Sequence, residues 1–199
     1  MAQTLTRTQK RQNATKARIF QVAMELFIAK GFDNTTVSEI TEAADIGKGT
    51  FFTYFPTKEA IFRQLGAMMM ETMSAVAEDG LNQNQPISLV LKNTLLASVD
   101  WHEANKPITQ QVVRSHFSID AETSNKNRLV EVLESLVLTG QSNGEFNSEF
   151  NARDAAVVLA GSYFAVIAFW AVTEGEQLRE RLASSIDIVL NGMVKNYEP

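Results

Sequence analysis

The chain has 199 residues, 45% of them hydrophobic, a net charge of −5 and no cysteine. This allows one or two soluble domains with a real core, and excludes a disulfide framework, a thiol nucleophile and a cysteine-based metal site. Two histidines, His102 and His116, are too few and too far apart for the common metal motifs, and no cofactor is expected.

The acidic net charge argues against a nucleic-acid partner until its distribution is considered. Residues 1–63 hold nine Lys or Arg against six Asp or Glu, a net of +3, whereas residues 64–199 hold nine against seventeen, a net of −8. The first eighteen residues carry Arg7, Lys10, Arg11, Lys16 and Arg18 and no acid. A positive end on an acidic body can orient a protein on duplex DNA; the alternative is a solvated, frayed tail before Lys10. The opening MAQTLTRTQKRQ lacks the apolar core of a secretory signal, so a cytoplasmic protein is expected.

From about Asn13 to Lys30, Ile19, Val22, Ala23, Leu26 and Phe27 repeat at helical spacing, and Gly31 stops the run. Thr36 and Glu39 have the spacing of a capping box, so a second helix is predicted from Val37, with Val37, Ile40 and Ala44 on its buried stripe. Asp45, Ile46 and Gly47 break the period. Gly47 suits a turn or helix N-cap, and a short third helix follows from Lys48. Phe51 and Phe55, four apart, point into the core. Lys48, Gly49, Thr50, Thr53 and Tyr54 are left outside, near a helix N-terminus that favours phosphate. This is the build of a DNA-reading helix-turn-helix.

The segment GKGTFFTYFPTKEAIF resembles the recognition segment of the TetR family of transcriptional regulators, and the resemblance is specific over about Ile19 to Leu65. It implies base and phosphate contacts from Lys48, Gly49, Thr50 and Thr53. It further implies backbone contacts from Tyr54, from Thr36 at the start of the preceding helix and from Lys58 after the turn. Many members carry tyrosine where this chain has Phe52, which exchanges a hydroxyl contact for an apolar one, such as to a thymine methyl.

Thr57 is predicted to start a fourth helix through Ile61, Leu65, Met69 and Met73 to about Gly80, long enough to leave the DNA-binding unit. Its Met68, Met69, Met70 and Met73 cluster reads either as core filler or as the lining of an adaptable ligand cavity. DGLNQNQP, residues 79–86, is a loop. Helices are then predicted over about Ile87–Asn105, Pro107–Phe117 and Ser124–Gln141. Trp101, His102, Arg114, His116 and Phe117 set polar groups beside aromatics, as a small-molecule pocket does, although either histidine alone also reads as structural.

Asn151 and Asp154 open the most apolar helix, Ala155 to Val172. Its eighteen uncharged residues are long enough to span a membrane, but an alanine-rich segment without a basic flank fits burial against a partner better. Phe164 and Trp170 on it are further candidate ligand contacts. Thr173 and Glu176 have capping-box spacing, and a last helix follows with Leu178, Leu182, Ile186, Val189, Met193 and Val194 on one face.

The expected fold is all-α: a three-helix helix-turn-helix domain over residues 1–58 and a larger helical ligand-binding and dimerisation domain over 59–199, about nine helices together. The expected protein is no enzyme. It is a regulator, a homodimer through helices at about 151–173 and 176–196 that reads a palindromic double-stranded DNA operator and is released by a small apolar or aromatic effector, hence a repressor. A ligand-responsive activator is the near alternative. Two others come from different classes: a helical enzyme with His102 or His116 as general base, which lacks a recognisable nucleophile motif, and a membrane-associated helical protein anchored by residues 155–172.

Overall fold

A computed structural model describes residues 6–116 and 124–193. Among them the chain forms ten α-helices, and it divides into two compact units, Met1–Leu65 and Gly66–Pro199.

In the first unit, α1 (Arg7–Lys30) begins well before Asn13. Thr6 and Gln9 form a reciprocal capping box there, and nine of the twelve residues of the run RTQKRQNATKAR are Ala, Arg, Lys or Gln, all good helix formers. Apolar periodicity cannot register this start because no apolar residue of the helix precedes Ile19 apart from small alanines. Ile19, Ala23 and Phe27 form the buried face. Gly31, at φ 89°, ends the helix in a conformation that favours glycine and donates its N–H to the Phe27 carbonyl at 2.9 Å. The chain then turns so that the Phe32 ring meets Phe27 edge-on at 4.9 Å and stacks on Phe62 at 4.6 Å.

The second helix, α2 (Val37–Ala43), starts on the capping box expected at Thr36 and Glu39. The third helix, α3 (Lys48–Tyr54), starts where expected, with Gly47 as its N-cap, and the turn before it carries one feature the sequence did not mark. Asp45 adopts the left-handed conformation at φ 50°, while Gly47 has an ordinary extended backbone. Phe51 and Phe55 are fully buried with Ile40 and Ala44. Contact to the next helix is made through short i to i+3 turns at Thr57 and Lys58, so α4 (Ala60–Asn82) starts later than Thr57 and runs past Gly80.

The second unit holds the rest of α4, then α5 (Ile87–Leu96), α6 (Val99–Ala104), α7 (Lys106–His116), α8 (Ser124–Ser142), α9 (Ala152–Val172) and α10 (Leu178–Met193). The single helix expected over Ile87–Asn105 is broken at Ala97–Ser98. The start of α5 is capped from a distance: the Glu145 carboxylate accepts from the Ile87 and Ser88 amides at 2.7 Å each, supplying the anion that Pro86 cannot. Gly140 is required where it stands, because a Cβ there would lie 2.3 Å from the buried Phe146 ring.

At the centre lies α9, packed against α7, α8 and α10. Asn151 caps it, accepting from the Arg153 and Asp154 amides. Ala156, Leu159, Tyr163, Ile167 and Trp170 face inward, whereas Val157, Gly161, Phe164, Ala165 and Val172 share the outward face. The expected Thr173–Glu176 capping box does not form. The Thr173 hydroxyl donates back to the Phe169 carbonyl at 2.7 Å, Glu176 pairs with Arg181, and α10 begins only at Leu178. Leu178, Leu182, Ile186, Leu190 and Met193 form its buried stripe; Val194 lies outside the described residues.

Candidate DNA-reading face and an interior polar cluster

The outward side of α3 follows from its inward side. With Phe51 and Phe55 fixed in the core, Lys48, Gly49, Thr50 and Thr53 are exposed and Tyr54 is half-buried. Among the described residues the side chains of Lys48, Thr50 and Tyr54 have no hydrogen-bond partner, so their side-chain donors are available to a duplex. Thr53 differs, giving its hydroxyl hydrogen to the Gly49 carbonyl at 2.9 Å. Phe52 stands 49% exposed beside these polar groups, edge-on to Phe51. An exposed aromatic ring suits an apolar base edge.

The start of α2 is less free than its sequence suggests. Thr36 is exposed, but its hydroxyl and amide both donate to the Glu39 carboxylate at 2.8 Å. A hydroxyl meets a phosphate as donor, and this one is already engaged. Glu39 also pairs with Lys30, and that bond, followed by those from Thr36, lowers its carboxyl from 4.5 to about 2. Pairing by Lys30 offsets an acid that would otherwise repel phosphate.

Lys58 is engaged more deeply. Its ammonium donates to the Phe32 carbonyl at 2.6 Å and the Thr35 carbonyl at 2.9 Å, and lies 4.0 Å from the centroid of the Phe32 ring. Two of its three hydrogens are therefore spent inside the protein, fixing the turn that delivers Thr36 to the start of α2. The roles of Lys30 and Lys58 as internal braces were not legible in the sequence, since their partners are a carboxylate nine residues away and carbonyls more than twenty residues away.

In the second unit the residues expected to line a pocket separate into four places. Trp101 and His102 are neighbours, ring edge to ring face at 5.5 Å, with His102 buried. Met73 lies in the main core and Met69 is half-buried. Trp170 is buried at the end of α9, where its indole N–H donates to the Glu176 carbonyl at 3.0 Å and the Lys106 ammonium sits 4.6 Å from its ring. Phe164 stands on the outward face. Phe117 and the side chain of His116 lie outside the described residues.

Around His102 the structure assembles residues that the sequence reading passed over. Ser98 and Tyr163 share a buried hydroxyl bond of 2.7 Å, and His102 Nδ1 is 3.0 Å from the Thr109 hydroxyl. Burial pushes Tyr163 up to about 12 and lowers His102 to about 4, so both are neutral near pH 7. Thr94 is also fully buried. A signal did exist, because Thr94, Ser98 and His102 recur at steps of four.

Similarity to known proteins bears on the first unit most directly. Residues 19–65 match the bacterial regulatory proteins of the tetR family. The HTH-type transcriptional regulator YdgC of Bacillus subtilis is 26% identical over 189 residues, covering 90% of this chain and 93% of that protein. The HTH-type transcriptional regulator TcmR of Streptomyces glaucescens is 38% identical over 53 residues, covering 27% of this chain and 24% of TcmR. Among solved structures, FadR of Thermus thermophilus, a TetR-family repressor in complex with lauroyl-CoA, superposes with a TM-score of 0.78 at 26% identity, covering 92% of this chain and 97% of that one.

Proposed function

We propose, from the premise that the chain belongs to the tetR family of bacterial regulatory proteins, that this DNA-binding transcriptional regulator is a cytoplasmic homodimeric repressor, released from a palindromic operator by a largely apolar ligand. The observation that carries the DNA-binding part is the face of α3, where free donors on Lys48, Thr50 and Tyr54 flank exposed Phe52 on a helix anchored by buried Phe51 and Phe55. Lys48 and Tyr54 meet phosphates, Thr50 and Phe52 meet base edges, and Gly49 lets the backbone approach closely. Thr53 and Thr36 join as donors only by giving up internal bonds.

A single such helix reads a half-site too short for specificity, and the second copy is supplied by dimerisation. The outward stripe of α9 is apolar, with Phe169 73% and Val172 66% exposed, while the opposite side of the same helix is buried in its own unit. A second copy covering this stripe, with α10, makes a four-helix interface and sets two recognition helices about 34 Å apart, one turn of DNA. A helix buried along one side within its own unit fits this better than one surrounded by lipid.

Release follows if a ligand in the helical unit favours a conformation whose recognition helices no longer match the operator. The continuous helix α4, Ala60–Asn82, begins in the first unit and ends in the second, and offers the connection. The ligand shifts the population only by as much as it prefers one conformation. The lauroyl-CoA bound by Thermus FadR supports a ligand with a long apolar portion.

Selection of sites from random duplex DNA tests the reading. Wild-type protein is expected to enrich a palindrome and the Lys48→Ala, Tyr54→Ala variant to enrich none; absence of enrichment by a well-folded wild-type dimer would overturn it. Binding of the enriched palindrome that no apolar ligand weakens would remove the release mechanism while leaving the DNA-binding role.

A further inference from the structure

Thr94 is 0% and His102 7% exposed, and the Thr94 hydroxyl and His102 Nε2 have no hydrogen-bond partner among the described residues. Such orphans are uncommon, since buried polar atoms are nearly always satisfied. Their neighbours obey the rule: Ser98 bonds Tyr163, and His102 Nδ1 bonds Thr109. The protein thus satisfies one nitrogen of the imidazole and leaves the other bare. A leucine or phenylalanine at 102 would fill an apolar interior without that cost.

The chemistry of the missing partner follows from the bonds around Thr109. Its hydroxyl donates to the Asn105 carbonyl at 3.3 Å and also lies 3.0 Å from His102 Nδ1. Thr109 has a single hydroxyl hydrogen, so both bonds exist together only when Nδ1 carries the proton and donates to the hydroxyl oxygen. Nε2 is then unprotonated and presents a lone pair. Burial keeps the ring neutral, which preserves that lone pair near pH 7.

We propose that the helical unit receives its ligand at this cluster, and that the ligand is a largely apolar molecule bearing a hydrogen-bond donor, a hydroxyl or an N–H, which it gives to His102 Nε2, with the Thr94 hydroxyl as a further polar contact. The proposal rests on the reading that this unit takes an apolar ligand, and adds the polarity of the one group that must be oriented. Trp101, edge-on to His102, supplies an apolar wall. Discrimination comes from the bare acceptor: a site built around a hydrogen bond rejects an analogue that cannot complete it.

Decan-1-ol and methyl nonyl ether are isomers that differ in whether the oxygen carries a hydrogen. Titration calorimetry on the full-length protein is expected to show the alcohol binding about tenfold more tightly or better, the equivalent of one hydrogen bond. His102→Phe should reduce the alcohol to the ether's affinity. Thr94→Val, which preserves shape, should weaken the alcohol more than the ether and carries the same test if the first variant does not fold.

The chain has only two histidines, so nitrogen NMR of labelled imidazoles, assigned with a His116→Gln variant, reads the tautomer directly. Nε2 of His102 should be unprotonated in free protein and shift on adding the alcohol but not the ether. A protonated Nε2 would overturn the donor assignment. Equal binding of both isomers, with both weakening binding to the palindrome, would overturn the inference while the ligand-responsive reading stands; binding of neither would count against both.

Discussion

Replacing Lys58 with methionine separates two roles for the residue after the recognition helix. Met keeps the apolar stem over Phe32 and removes the ammonium that donates to the Phe32 and Thr35 carbonyls. A hydrogen bond from a charged group contributes about 1.5–3 kcal/mol and a cation–π contact about 0.5–1 kcal/mol. The Phe32 carbonyl keeps the Thr35 amide as a partner at 3.1 Å, which cushions one of the two losses. The expected cost is therefore about 2–4 kcal/mol, a large fraction of the stability of a small domain. Urea unfolding followed by circular dichroism should show the midpoint of the least stable transition falling by about 1–2 M. Affinity for random duplex DNA, measured in urea-free buffer across a salt series, should keep the wild-type salt slope, because the two strongest bonds of this cation are internal. A variant as stable as wild type, with a salt slope lower by about one unit, would refute this reasoning and make Lys58 a phosphate ligand.

Three further outcomes are expected. Glu39 titrates near 4.5 unfolded and about 2 folded, so its contribution is complete above about pH 4.5 and is lost as pH falls towards 2; Glu39→Gln should flatten the acid limb of a stability–pH curve over that window. His102 titrates near 6.5 unfolded and about 4 folded. The unfolded chain therefore takes up the proton first, and roughly 3 kcal/mol of stability should be lost as pH falls from about 6.5 to about 4, a slope that His102→Phe abolishes. Phe169→Glu, at a position 73% exposed within one copy, should leave the helical circular dichroism unchanged and convert the proposed dimer to monomer in analytical ultracentrifugation, with weakened binding to a palindrome; a variant that remains dimeric would move the interface off α9.

What the sequence determined by itself is local. The capping box at Thr36 and Glu39, the breaks at Gly31 and at residues 45–47, and the four-residue spacing of Phe51 and Phe55 act over a single helical turn. They suffice to expose Lys48, Thr50 and Thr53 together. The same locality explains the misplaced ends: a helix start with no apolar residue, as at Arg7, leaves no period to read, and a capping-box spacing such as Thr173 with Glu176 forms no box when α10 starts later.

Tertiary structure decided everything that depends on partners distant in the chain. Glu145 caps α5 from more than fifty residues away, Lys58 is held on the carbonyls of an earlier turn, and Tyr163 on α9 meets Ser98 after α5. It also decided which side of α9 is outward, because a helix apolar all round carries no sign of its own facing; only the packing of α7, α8 and α10 against it leaves Phe164, Phe169 and Val172 uncovered.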